Sequence, residues 1–509
     1  MKRAIQRLHP YRYRLMLLSS VFMFIGITYA INVTKHHTFK SSLLDLGVFI
    51  QAIWSYGEYG TPMTSINPPY IPGNWLGFHF SPLVLILSPL CDFFSPDKCL
   101  LFLNSFFISI AALPFFMTVK RLGMDEAYAL LFSLLYLANP FVVNGAVFDF
   151  HEIAMAAPLM SLALWAVVAK RFPVLLLCMG FLLLCKEHFG LSVAGFGILW
   201  WWVHHDGKRG LVLVVTGITF FAVTMVYLMP LLNHSGSHPM LTAENNHLKR
   251  YGWVNLPLPE MIKSLFNLAT NSATVSFLIL FLMPICLMPL LGMIFLIPGI
   301  PDMAANILSS NPMPKSPFSY HSATLIPFMI VASCHAIKKH TINDPALLKR
   351  ICMLSLILTL VSCYATFPFG LPKSADIWQV SGFKMRQPEM IEEIQDRIGP
   401  DDALCVQANI GAFFSERKEI FPFPKGIGRA DTILLYIDYP FDKLDHTPFE
   451  APYAIVTPLE FIHAVKEFLN RDTFGIVYFH KGWLIARRDA ATTISPETVL
   501  SRLEQIARK

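Results

Sequence analysis

Asp45 is the only acidic residue among the first 57, and it sits in the apolar stretch Leu43-Leu44-Asp45-Leu46-Gly47-Val48-Phe49-Ile50-Gln51. A carboxylate partly withdrawn from water there becomes more basic, which suits a general base. The structural alternative is a helix N-cap, a role that Asp favours. His79, in Gly77-Phe78-His79-Phe80-Ser81-Pro82, is either a phosphate ligand and proton partner or a structural histidine. In Phe148-Asp149-Phe150-His151-Glu152, an extended backbone would bring Asp149 and His151 to one side. A helical turn would instead pair Asp149 with Glu152. Either pair could hold a divalent metal through oxygen and nitrogen. Cys185-Lys186-Glu187-His188-Phe189-Gly190 interrupts two apolar runs. Lys186 suits a phosphate as a point charge; alternatively, Lys186 and Glu187 form a local pair that caps a turn. In Ser319-Tyr320-His321-Ser322, His321 could touch a headgroup, while Tyr320 could equally belong to an aromatic belt.

These groups need elements that hold them, and the composition points to membrane spans. The chain has 509 residues, 54% hydrophobic and 15% charged, with a mean hydropathy of +0.51. Soluble domains carry roughly 25% charged residues. Apolar runs predict about eleven transmembrane helices near the ~20-residue length that crosses the hydrocarbon. They fall near 14–33, 100–119, 127–146, 152–169, 172–185, 189–204, 210–231, 273–289, 290–308, 321–337 and 350–368. Residues 82–95 are short and contain Pro89, as in a re-entrant or interfacial helix. The N-terminal basic group and apolar run resemble a signal peptide, but the run is long for one and reads as an uncleaved first span.

The net charge of +6 is not a nucleic-acid signal, because the Lys and Arg clusters sit at span ends. Lys120 with Arg121, Lys170 with Arg171, Lys208 with Arg209, and Lys338 with Lys339 all fall on the side of the N-terminus. That is the positive-inside pattern, with a cytoplasmic N-terminus. Lys249 and Arg250 are the exception, lying in the outer loop 232–272, where they suit an anionic ligand. The polar constellations then collect on the opposite, extracytoplasmic face. Ionisable groups at a membrane edge are costly and therefore usually functional. The nine cysteines form no framework or zinc spacing, although Cys91 and Cys99 could bridge a short outer loop.

A transmembrane domain is expected over 1–370, with a large first outer loop at 34–81. Residues 384–509 turn charged and mixed. Runs at 432–437, 453–456 and 474–478 read as strands, and 389–397 and 459–469 as amphipathic helices. A small α/β domain on the outer side is therefore expected.

Taken in order, Asp45-Leu46-Gly47-Val48-Phe49-Ile50-Gln51, His79-Phe80-Ser81-Pro82, Phe148-Asp149-Phe150-His151-Glu152, Lys186-Glu187 and Tyr320-His321-Ser322 resemble the predicted membrane proteins grouped as domain of unknown function 2079. The resemblance runs over roughly residues 40–340 and extends to the outer C-terminal domain. That family in turn resembles the glycosyltransferase C superfamily, whose members take a sugar from a polyprenyl-phosphate carrier and place an acid in the first outer loop. Leu44 stands where the family usually has Phe, Ile50 where it often has an acid, and His188 where an acid follows Lys186-Glu187. The last departure weakens a metal site.

The resemblance implies a glycosyltransferase that moves a hexosyl or pentosyl group with inversion, and the absence of organelle signals points to a bacterial inner membrane. Asp45 would be its base. His79, Lys186, Arg250 and His321 would hold the donor phosphate. Asp149, His151, Glu152 and Glu187 would position a glycan, lipid or protein acceptor, or a divalent metal. The alternative function is a transporter or flippase for a lipid-linked or anionic solute. It has against it the lack of inverted repeats with matching broken helices.

Overall fold

The computed structural model describes residues 11–233, 250–341, 343–368, 371–375, 388–438 and 458–507. The chain forms two compact units. The first comprises Met1–Asn32, Leu76–Ile86 and Leu101–Asp376; the second comprises Val33–Trp75, Leu87–Leu100 and Ile377–Lys509.

The first unit is helical. Six helices among the described residues are long and apolar enough to cross a membrane: Arg12–His37, Pro96–Arg121, Gly207–Leu232, Met288–Leu308, Tyr320–Thr341 and Pro345–Ala365. Two bent pairs, Glu126–Leu137 with Pro140–Ala146 and Leu258–Thr270 with Ser272–Ile285, raise the number to eight. The apolar helices Glu152–Val168, Phe172–Cys185 and Phe189–His204 are shorter. They separate that number from the eleven expected by sequence. Pro82–Phe93 is also a short apolar helix.

Burial sorts these helices. Tyr320–Thr341 has 83% of its apolar stretch buried, whereas Gly207–Leu232 and Pro345–Ala365 have 17%. The first lies in the protein core; the other two present apolar side chains outward, as lipid-facing helices do. Tyr136 is fully buried in this core, and its hydroxyl donates to the Ile108 carbonyl at 2.9 Å. A buried phenol needs such a partner.

Two pairs of glycines set a close helix contact. A Cβ on Gly197 would stand 2.5 Å from the Gly210 carbonyl oxygen, and one on Gly217 would stand 2.3 Å from that of Gly190. Phe189–His204 and Gly207–Val223 therefore pack backbone to backbone, as small residues allow within membranes.

In the second unit, β1 (Met63–Thr64) pairs antiparallel with β2 (Gly73–Asn74). A five-stranded mixed sheet is built from β3 (Leu404–Val406), β4 (Ile420–Pro422), β5 (Thr432–Tyr436), β6 (Phe474–His480) and β7 (Trp483–Arg488), in the order β4-β3-β5-β7-β6. The neighbours of β3 run parallel to it, and β7 runs antiparallel to both β5 and β6. Helices Pro388–Arg397, Pro458–Leu469 and Pro496–Ala507 accompany the sheet. Ile433, Leu435, Phe461, Phe468, Leu484 and Val499 form its core. The strands expected at 432–437 and 474–478 are β5 and β6; the one expected at 453–456 lies outside the described residues.

The segment carrying Asp45 belongs to this second unit. Leu43 N–H donates to the Ala408 carbonyl at 2.8 Å. Gln51 Nε2 donates to the carbonyls of Arg417 and Lys418, each at 3.1 Å. Ser65 Oγ accepts from Ile420 N–H and donates to its carbonyl, both at 2.8 Å. The Ser65 bonds occupy the outer edge of β4, which would otherwise present open backbone groups. Cys91 and Cys99 are joined by a disulfide.

Candidate functional site

Most of the polar motifs meet in the first unit, at breaks between helices. Asn139 caps the helix Pro140–Ala146, its Oδ1 accepting from Phe141 N–H at 3.0 Å, and Pro140 opens that helix. The pair of helices consequently bends by 58°. At the far end, Asn104 Nδ2 donates to the carbonyls of Gly145, Ala146 and Phe148 at 3.1–3.3 Å. Asn32 Nδ2 reaches Ala146 as well, at 2.8 Å. Two buried amides thus satisfy helix-terminal carbonyls and hold the start of the Asp149 segment.

From there the backbone is extended at His151, and Glu152 opens a 3₁₀ turn. Asp149, His151 and Glu152 are all buried. Glu152, 1% exposed, takes Lys186 as its ion-pair partner, and His151 Nδ1 stands 3.8 Å from its other oxygen. Lys186 lies in extended backbone where helix Phe172–Cys185 ends. The local Lys186–Glu187 pair allowed by the sequence is therefore not the arrangement found. Glu187 turns instead to the 77–82 segment: its Oε2 accepts from Phe80 N–H at 3.0 Å, and Oε1 is 3.7 Å from His79 Nδ1. Burial alone would push the Glu187 carboxyl up, but His79 and the Lys186 charge outweigh it and hold the group at about 2.

A third pair was not anticipated. His188 Nε2 lies 3.4 Å from Oδ1 of Asp302, a residue near the start of Ile300–Leu308. Asp302 follows Pro301 inside an apolar run, and a lone acid in such a run was the signal available to find it. The result is three pairs of a basic residue with a carboxylate, Lys186–Glu152, His79–Glu187 and His188–Asp302, contributed by four separate stretches of chain. His79 and His188 are the half-exposed members; the three carboxylates are the more buried ones.

Aromatic rings border the same region. The Tyr320 ring stacks on His151 with centroids 3.5 Å apart, and on His321 at 4.1 Å. His321 Nδ1 meets Ser319 Oγ at 2.5 Å. Arg250 is half-buried, and its carbonyl accepts from Ser310 N–H at 2.8 Å. Lys249, its neighbour in sequence, lies outside the described residues. Among the described residues, no three His, Cys, Asp or Glu side chains stand together as a metal would require.

Asp45, in the second unit, is half-buried in a π-helical turn, Leu43–Gly47. The cap of that turn is Ser42, whose side chain accepts from Leu44 N–H at 3.1 Å. The capping role considered for Asp45 thus falls to its neighbour. π-turns occur frequently at functional sites.

The family described as predicted membrane protein (DUF2079) matches residues 35–445. The chain also resembles the crystal structure of ArnT from Cupriavidus metallidurans bound to undecaprenyl phosphate. The TM-score is 0.51 at 12% identity, covering 94% of this chain and 99% of that one. For the apo state of the same protein the TM-score is 0.49 at 11% identity, covering 92% and 98%. At such identity the likeness is one of fold. No curated relative matches the chain.

Proposed function

The chain belongs to the DUF2079 family of predicted membrane proteins, and from that premise we propose that it is a glycosyltransferase C-type enzyme using a polyprenyl-phosphate-linked sugar. The observation that carries this reading is the ArnT likeness, which spans nearly the whole of both chains, the ArnT structure itself holding undecaprenyl phosphate. We place eleven spans in the membrane, counting the three shorter apolar helices. The N-terminus is then cytoplasmic, and residues 384–509 are on the outer side. The Cys91–Cys99 disulfide supports an oxidising compartment for the outer segment between the first two spans.

In this reading Asp45 takes the proton of an acceptor hydroxyl. The acceptor oxygen attacks the anomeric carbon from the face opposite the phosphate. The bond from that carbon to the phosphate oxygen breaks, and the lipid phosphate leaves with the electron pair. The configuration inverts, and Asp45 holds the proton. A phosphate is a good leaving group, so no strong general acid is needed. His79, Arg250 and His321 meet the phosphate, with Lys186 supplying charge from behind while it remains paired with Glu152. Asp149, His151 and Glu187 shape the acceptor side.

The test is transfer of radiolabelled sugar from a panel of polyprenyl-phosphate sugars by purified protein in lipid. Asp45→Asn should lower turnover at least 10²-fold, the lower range for loss of a general base, with expression and thermal stability unchanged. Retained turnover in that variant removes Asp45 as the base. Specific binding of the lipid phosphate without turnover of any donor favours the transport reading.

A further inference from the structure

The helix Leu258–Thr270 contains no buried residue. Its side chains nevertheless divide cleanly at helical periodicity. Leu258, Met261, Ile262, Leu265 and Phe266 share one face; Glu260, Lys263, Ser264, Asn267 and Thr270 share the other. Leu258, Ile262 and Phe266 are 64%, 58% and 67% exposed, and they follow each other at intervals of four along the helix. An apolar stripe of that kind is not left facing water.

Three observations indicate what covers it. First, the helix runs into the apolar helix Ser272–Ile285 through a 47° bend, so the stripe is continuous with a surface already suited to lipid. Second, its 13 residues fall in the range of interfacial rather than spanning segments. Inside a span, Glu260 and Lys263 would enter the hydrocarbon, which is costly for charged side chains. Third, the lead-in segment is aromatic and fixed. Tyr251 OH donates to the Ala305 carbonyl at 3.2 Å, and Trp253 Nε1 donates to that of Leu308 at 2.9 Å. Both acceptors lie on Ile300–Leu308, the helix that carries Asp302, and Leu258–Thr270 packs against it.

We propose that Leu258–Thr270 is an in-plane interfacial helix whose Leu258–Ile262–Phe266 face lies in the acyl boundary of the bilayer. Its occupant is lipid. Glu260 and Lys263 balance in charge, so docking rests on apolar burial rather than on attraction to anionic headgroups. The helix fixes the level of the membrane surface beside His188 and Asp302, and this holds whether or not the chain transfers sugar.

The test uses full-length protein in phosphatidylcholine nanodiscs, spin-labelled through single Cys replacements at 258, 262, 263, 266 and 267. The labelled parent chain supplies the background from native cysteines. Collisional accessibility to oxygen and to a water-soluble nickel complex is read at each site. The expected result is periodic: oxygen dominates at 258, 262 and 266, and nickel at 263 and 267. Adding anionic lipid should leave the pattern unchanged. A depth that changes steadily from 258 to 267 would mean a broken span and overturn the proposal. Nickel dominance at every site, or low accessibility to both reagents on the apolar face, would overturn it in favour of water or a protein partner. Should a labelled variant fail to fold, Phe266→Trp and Lys263→Trp give a second reading with lipids brominated along the acyl chain. Extra quenching over the parent is expected for Phe266→Trp alone; equal quenching would refute the assignment.

Discussion

Lys186 and Glu152 illustrate how little an isolated residue type says about its role. A lysine interrupting apolar runs reads as an anion ligand, yet the structure gives its ammonium to a carboxylate 1% exposed and 34 positions earlier in the chain. Removing one partner strands a buried charge. Lys186→Met should therefore cost roughly 3–5 kcal/mol, and the double change Lys186→Met with Glu152→Leu should recover much of it. Thermal unfolding in detergent reads both; a single change costing under about 1 kcal/mol would mean the pair is solvated. Glu187 has a pH signature. Its folded value of about 2 lies below the ordinary 4.5, so its contribution is fully present above 4.5 and is lost as pH falls toward 2. The parent should lose stability across that window, whereas Glu187→Gln should start lower at neutral pH and change less. Parallel curves for the two proteins would remove Glu187 as a paired carboxylate.

At the scale of elements, helix ends position the site more than helix interiors do. Asn139, Asn104 and Asn32 fix the termini around 139–148, and the break at 186–188 delivers three ionisable residues in succession. The glycine-lined contact between Phe189–His204 and Gly207–Val223 holds the helix that follows that break close to its neighbour. Gly217→Leu should separate the two helices, because even its Cβ would overlap the Gly190 carbonyl. The cost should be about 1–3 kcal/mol or more. Gly180, whose Cβ would meet nothing within 4 Å, is the control. Equal melting temperatures for Gly217→Leu and Gly180→Leu would refute the close packing.

For the whole molecule, sidedness is the consequence easiest to measure. In the proposed topology, with the N-terminus inside, the bonded pair Cys91 and Cys99 faces the oxidising side. A non-permeant maleimide should label them in intact cells only after reduction with a non-permeant phosphine. Closing so short a loop contributes about 2–3 kcal/mol in the chain-entropy view. Cys91→Ser with Cys99→Ser should therefore lower the melting temperature while leaving the protein folded. Labelling without prior reduction would mean the pair is not bonded in the cell; labelling only after permeabilisation would invert the topology.

Apolar length, basic clusters and strand alternation are local properties of the chain. They were enough to read a helical membrane protein with strands at β5 and β6, because hydrophobic transfer and backbone periodicity act residue by residue. The motifs around Asp45, His79, Asp149, Lys186 and His321 were legible for the same reason, as costly polar groups in apolar surroundings. Their partners were not. Which carboxylate meets Lys186, that Ser42 rather than Asp45 caps its turn, that Glu187 reaches Phe80 N–H, and that Asp302 joins His188 all depend on contacts between segments distant in sequence. Charge pairing and capping are decided by distances of 3–4 Å, and only the folded chain sets those distances.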